Sequence, residues 1–164
     1  MTSATPPPVR MTFHALPHPS GQVHELGFHL DHPYLERCWA PILGPTAVLL
    51  LRRMPTLWEQ SRTIGVWADE LAASLGVGRG SGRNSPLIRA VGRLIHMRFA
   101  SAAAEHEIDV YTEVRPLTAR QLARVPFEVH RLHERLLAAN PITQLCAAQR
   151  GVGSTPPGDW RSHA

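Results

Sequence analysis

Apolar residues recur three and four positions apart in two neighbouring segments, residues 67–75 and 85–97. This spacing predicts two amphipathic helices. Gly76 is expected to end the first helix, and Ser85-Pro86 to begin the second with a serine N-cap and a proline in the first turn. Glycines at every second position join the two segments. The pattern therefore predicts a helix, a mobile glycine-rich turn and a second helix.

Further helices and short strands are expected on both sides of this pair. The expected helices cover residues 33–54 and 118–139, whose apolar side chains form candidate dimer surfaces. The expected strands cover residues 63–66, 99–103 and 108–114. The last two of these strands are expected to form a β-hairpin.

Composition divides the chain of 164 residues into three parts. Residues 1–30 are rich in Pro and His and are expected to form an extended N-terminal arm, with a short strand near Val23–Leu30. Residues 31–140 are expected to form the folded domain, and residues 141–164 a flexible C-terminal tail. The longest apolar run is far too short to span a bilayer, so we expect a cytoplasmic protein that does not engage a membrane.

The order of the predicted elements resembles that of the winged helix–turn–helix superfamily. The string ADELAASLGV, Ala68 to Val77, looks like the first helix and turn of many bacterial regulators, here of an actinobacterial type. The resemblance covers residues 45–116 and implies a mostly α fold with a small β-hairpin (α+β), with extra flanking helices. It also implies a recognition helix at residues 85–97 and a wing at residues 100–114.

Positive charge is concentrated around the second helix. All 17 basic residues are arginine, and the formal net charge is +4. Residues 62–98 contain six arginines and two acidic residues, and no acidic residue occurs between Leu71 and Ala104. A duplex-binding surface needs such positive charge, because phosphate neutralisation supplies most of the raw affinity.

The resemblance implies a role for each polar residue of this surface. The expected DNA-binding residues are Arg79, Arg83, Asn84, Ser85, Arg89, Arg93, His96 and Arg98. Those on the second helix would face the major groove, where arginine pairs bidentately with guanine. Those in the turn would contact phosphates. We therefore expect a transcriptional regulator that binds double-stranded DNA as a homodimer.

The predicted hairpin departs from the superfamily, because a wing that enters a minor groove is usually basic. This hairpin region carries Glu105, Glu107, Asp109 and Glu113. The alternative is a protein–protein interaction module, or an adaptor in replication or in a mobile element. Such a module would capture a protein partner through the acidic hairpin, residues 104–113, or through the N-terminal arm.

No motif in the sequence indicates catalysis, a cofactor or a metal. The glycine-rich turn lacks the Gly-Lys-Ser/Thr ending of a phosphate-binding loop and follows a helix instead of a strand. The ten histidines lack the convergent spacing, with cysteine or carboxylate partners, that zinc sites show. Cys38 and Cys146 lie far apart and are expected to be buried, reduced thiols. We expect no enzyme, no cofactor and no metal.

Overall fold

The computed structural model describes residues 7–80 and 82–140. Its α-helices are α1 (Gly21–Leu26), α2 (Ala40–Leu43), α3 (Pro45–Leu57), α4 (Ala68–Ser74), α5 (Pro86–His96), α6 (Ala119–Leu122) and α7 (Phe127–Ala138). A π-helical turn, Leu35–Trp39, precedes α2. Its strands are β1 (Arg10–Leu16), β2 (Phe28–His29), β3 (Thr63–Trp67), β4 (Ala100–Ala104), β5 (Glu107–Tyr111) and β6 (Glu113–Val114).

Four of the strands form one mixed sheet in the order β3-β1-β5-β4. Strand β1 runs antiparallel to β3 and parallel to β5, with Leu16 opposite Tyr111 at the end of the parallel pair. Strands β4 and β5 form an antiparallel hairpin with a bulge between Ala102 and Ala104. Strands β2 and β6 form a separate two-stranded sheet in which His29 lies opposite Glu113.

This topology corrects the predicted fold class, because a mostly α winged helix–turn–helix domain with extra flanking helices is wrong for this chain. The protein is α+β, and β1 lies between β3 and β5 in the sheet. The physical reason is the alternation of β1, which buries Met11, Phe13 and Ala15 while the residues between them remain partly exposed. A strand with one apolar face is stabilised when its edges pair within a sheet and that face packs against the core.

The segment expected as an extended N-terminal arm is therefore structured from residue 10 onward. It contributes β1 and then α1. Where a strand near Val23–Leu30 was expected, α1 covers the first part and the short strand β2, Phe28–His29, is present in the second. The Ser20 hydroxyl caps α1 by accepting a hydrogen bond from the Val23 amide at 3.5 Å. The expected flexible tail, residues 141–164, and Cys146 lie outside the described residues.

Several individual elements are confirmed, and α5 is the clearest. The Ser85 hydroxyl accepts a hydrogen bond from the Ile88 amide at 3.2 Å, which is the N-cap that the sequence predicts. Leu87, Val91 and Leu94 are buried against the core, as their spacing predicts. The predicted β4–β5 hairpin and the helix that ends before Gly76 are also present.

The apolar segment at residues 33–54 forms the centre of the core and is not a free dimer surface. Tyr34, Trp39 and Leu51 have no exposed side-chain area, and the Tyr34 ring stacks on Phe28 with centroids 4.0 Å apart. Cys38 is also buried, and burial raises the pKa of its thiol to about 11. Within the described residues, no helix has the length and apolar character needed to cross a membrane.

Candidate nucleic-acid interface

The expected recognition residues on α5 point away from the core. Arg89, Arg93 and His96 are exposed, and Ser85 is half-buried at the start of the helix. The opposite side of α5 is fixed by its buried residues, so the exposed side has a defined orientation. The helix therefore presents two guanidinium groups and one imidazole in a row along one side.

The turn before α5 holds the residues expected to contact phosphates. Arg79, Arg83 and Asn84 are all exposed in this turn. Gly76 and Gly78 have φ angles of +71° and +85°, in the left-handed region that favours glycine. The turn thereby reverses direction tightly after α4 and places its polar side chains beside the N-terminus of α5.

Arg93 is anchored to the end of α2, just before α3 begins. Its Nη1 atom donates a hydrogen bond to the Leu43 carbonyl oxygen at 3.2 Å. The next residue, Gly44, has φ of +82°, and a Cβ atom built there would lie 3.2 Å from Arg93 Nη1. Glycine at position 44 thus allows the close approach of the guanidinium. One side of Arg93 is occupied by this contact, so the role in base recognition that the sequence predicts falls mainly to Arg89 and His96.

A groove of about 280 Å³, the Arg89 groove, separates α5 from the N-terminus of α3. It is lined by Arg89 and Arg93 on one side and by Gly44 to Ala47 on the other. The amides of Thr46 and Ala47 lie in the first turn of α3, where backbone N–H groups have no acceptor within the helix. Two arginines and a helix N-terminus together create a positive potential that suits a phosphate.

A second groove, the Arg98 groove, lies between the end of α5 and β4 and has a volume of about 690 Å³. His96, Arg98 and Arg115 border it, together with His18 and Tyr111, and none of its lining residues is acidic. Burial lowers the pKa of His18, the nearby Arg115 adds to this effect, and Glu113 opposes it. The groove extends the positive surface of α5 towards the sheet.

His18 and Arg115 were missed by sequence reasoning, and each has a recognisable cause. His18 reaches the groove because β1 occupies the centre of the sheet, which the sequence pattern did not reveal. Arg115 directly follows β6, and its guanidinium lies over the Trp39 ring at 5.6 Å from the centroid. Sequence reasoning could have found Arg115, because it is a basic residue at the end of the predicted hairpin.

The arginines of this surface have no acidic partners among the described residues. The ion pairs in the described part of the chain are Arg52–Glu36, His14–Glu107, His24–Glu113 and His106–Glu105. None of them involves the arginines at positions 79 to 98. Within residues 7–80 and 82–140, the positive charge of α5 and its turn is therefore not paired with an acidic side chain.

The hairpin exposes fewer acidic side chains than the sequence indicates. Glu105 and Glu107 are exposed at its tip, Asp109 is half-buried, and Glu113 is buried at 4% exposure. Glu105 lies 3.7 Å from His106 Nε2, and Glu107 lies 3.8 Å from His14 Nε2. The exposed acidic side chains are thus confined to the tip of the hairpin. Among the described residues, no three His, Cys, Asp or Glu side chains converge on a metal site.

Comparison of the chain with protein-family models, with curated proteins and with solved structures finds no match. The geometry of the protein itself therefore carries the functional argument.

Proposed function

We propose that the protein binds double-stranded DNA and acts as a transcriptional regulator, with α5 in the major groove. The observation that supports this most is the row of exposed, uncompensated positive side chains on α5 and in the turn before it. Such a surface attracts the phosphate backbone, while a helix is the element that fits the width of the major groove. This role would place the protein in the cytoplasm.

The proposed DNA contacts are of two kinds, contacts with base edges and contacts with phosphates. Arg89 and His96 are the side chains of α5 that are free to approach base edges, with Ser85 at the start of the helix. Arg93 and the first amides of α3 would hold a phosphate in the Arg89 groove. Arg79, Arg83 and Asn84 would contact the DNA phosphates next to this groove. Arg98 would contact a DNA phosphate beyond the end of α5.

The salt dependence of binding tests the electrostatic part of the proposal. Phosphate contacts from four arginines, at positions 79, 83, 93 and 98, would give a slope of log affinity against log salt of about −3.6, and so about a 150-fold loss between 50 and 200 mM salt. Fluorescence anisotropy with a labelled duplex measures this slope. Binding that is absent at 50 mM salt, or that does not change with salt, would show that the proposal is wrong.

A double variant tests the placement on α5. We expect Arg89→Ala with Arg93→Ala to lower duplex affinity at least about 100-fold, since each charge-assisted contact contributes about 1.5–3 kcal/mol. The matched control is Arg53→Ala with Arg131→Ala, two exposed helical arginines that border neither groove. Equal losses in both double variants would indicate general charge attraction and would contradict a specific role for α5.

The second candidate is a protein–protein interaction module or an adaptor in replication or in a mobile element. The exposed acidic tip of the β4–β5 hairpin, Glu105 and Glu107, favours it. Replacing both glutamates with glutamine should leave DNA affinity equal or higher if the protein is a DNA-binding regulator. It should abolish capture of a basic protein partner if the hairpin is the functional surface. Homodimerisation stays a prediction, which sedimentation of the chain with and without duplex would test.

A further inference from the structure

A third cavity, the His24 cleft, lies at the ends of the parallel strands and is lined by no residue of α5. Strands β1 and β5 point the same way, and their last residues, Leu16 and Tyr111, are paired. The carboxyl ends of this parallel pair therefore lie at the same end of the sheet, and the cleft lies beside them. The cleft has a volume of about 580 Å³.

A buried carboxylate, that of Glu113, organises the wall of the His24 cleft. Its Oε2 atom accepts a hydrogen bond from the His18 amide at 2.8 Å. Its Oε1 atom accepts one from the Thr112 hydroxyl at 2.9 Å and lies 3.0 Å from His24 Nδ1. Burial by itself would raise the pKa of Glu113, but the hydrogen bonds from His18, Thr112 and His24 together lower it. The carboxylate is therefore charged, and its own donors satisfy it.

This carboxylate fixes the ring of His24. A charged carboxylate only accepts hydrogen bonds, so Nδ1 of His24 carries the hydrogen that faces Glu113. The other ring nitrogen, Nε2, is left for solvent or a ligand, and the side chain is 53% exposed. A carboxylate that orients a histidine in this way is a common device of binding sites.

Arg62 supplies a fixed positive charge to the same cleft. Its Nε and Nη2 atoms lie 3.4 and 3.3 Å from the Ala15 carbonyl oxygen, and the Ala15 amide donates to the Arg62 carbonyl oxygen at 2.7 Å. These contacts orient the guanidinium, and Arg62 forms no ion pair within residues 7–80 and 82–140. His29, opposite Glu113 in the small sheet, also borders the cleft.

An apolar pocket of about 290 Å³ continues from the His24 cleft. The two cavities share Ala15, His29, Arg62 and Thr112, and the pocket adds the Trp58 indole and Leu30. Asp31 borders this pocket and does not border the cleft itself. Arg62 and His29 border both cavities, whereas Glu113 borders only the cleft and Asp31 only the pocket. Trp58 and Leu30 give the pocket its apolar surface.

We propose that the His24 cleft binds a small organic anion. The oxyanion head, a carboxylate or a phosphate ester, lies between the Arg62 guanidinium and His24 Nε2, and the apolar body of the ligand lies against Trp58. The Arg62 guanidinium is a donor that suits such a head. His24, whose Nδ1 hydrogen faces Glu113, donates from Nε2 only as an imidazolium, so binding of the anion between the two side chains takes up a proton on Nε2. An aromatic wall suits a planar body. This site is separate from α5 and does not depend on DNA binding.

Three probes that share one ring test the proposal by isothermal titration calorimetry on the full chain. Phenyl phosphate and benzoate carry the two forms of oxyanion head, and benzyl alcohol is the neutral control. At least one anion should bind saturably with a Kd at or below about 1 mM, and benzyl alcohol at least about tenfold more weakly. The better anion identifies the head group. Equal binding of the alcohol, or no saturable binding of either anion, would refute the site.

Variants locate the binding. Arg62→Gln and His24→Ala should each weaken the better anion about 10- to 100-fold, which is the scale of one lost charge-assisted hydrogen bond. Both side chains lie at the surface, so circular dichroism should show an unchanged fold, and Arg62→Gln should bind duplex DNA like the wild type. Arg53→Gln is the matched control and should change nothing. If Arg89→Ala with Arg93→Ala abolishes anion binding while Arg62→Gln does not, the anion binds to α5 and the inference is wrong.

Discussion

The hydroxyl of Tyr34 is the most informative single atom to remove from the core. It accepts a hydrogen bond from the Leu117 amide at 2.8 Å and lies 2.6 Å from His133 Nδ1, to which it donates. Leu117 and His133 are both buried, and burial lowers the pKa of His133, so its ring is held neutral as an acceptor. One hydroxyl thus joins the core to α7 and to the segment before α6.

Tyr34→Phe removes this hydroxyl and keeps the ring that stacks on Phe28. It leaves two buried groups, the Leu117 amide and His133 Nδ1, without a partner, and each such group costs about 1–3 kcal/mol. We expect a loss of about 3 kcal/mol in the free energy of unfolding. For a chain of this size, that corresponds to a fall in Tm of about 6–12 °C.

Urea unfolding followed by tryptophan fluorescence measures the loss. Tyr111→Phe is the matched control, because Tyr111 is half-buried and its hydroxyl forms no hydrogen bond among the described residues. The control should change stability by less than about 0.5 kcal/mol. If Tyr34→Phe costs no more than this control, the buried amide and imidazole have found other partners and the reasoning about Tyr34 is refuted.

Two further predictions concern backbone strain and pH. Gly44→Ala should destabilise the protein by about 1–3 kcal/mol, because φ at this position is +82°. Gly92→Ala, in open space on α5, should stabilise it by about 0.4–1 kcal/mol. A higher Tm for Gly44→Ala than for Gly92→Ala in thermal melts would contradict this. Burial lowers the pKa values of His18, His32 and His133. The unfolded chain therefore binds protons first as the pH falls through about 6.5, and the free energy of unfolding should fall between pH 7.5 and 5.5. A flat or rising profile in urea titrations would show that these groups do not govern stability.

The sequence predicts α5 well because all the information for it is local. Ser85 caps the helix, Pro86 fits its first turn, and the apolar positions repeat with the helical period. The exposed positions of Arg89 and His96 follow directly from that period. The part of the candidate interface that lies on α5 could therefore be predicted from the sequence.

The four-stranded sheet could not be predicted from local sequence in the same way. Residues 10–16 alternate between buried and exposed, but the prolines and histidines of this region suggested an extended arm outside the folded domain. The partner of β1 is also distant, since Leu16 and Thr112 are hydrogen-bonded across 96 positions of sequence. Glu113 shows the consequence for a single residue. The period of the hairpin placed it among surface acids, whereas contacts with His18 and His24 bury it.

The central position of β1 has a consequence for synthesis of the protein on the ribosome. This strand emerges early, but β3 and β5, which flank it, follow much later in the chain. Closing such long loops is slow, so the sheet should form late in folding, while α4 and α5 can pair as soon as they emerge. Until β5 is made, one edge of β1 has no strand to pair with, and this interval is when the nascent chain is most exposed to aggregation.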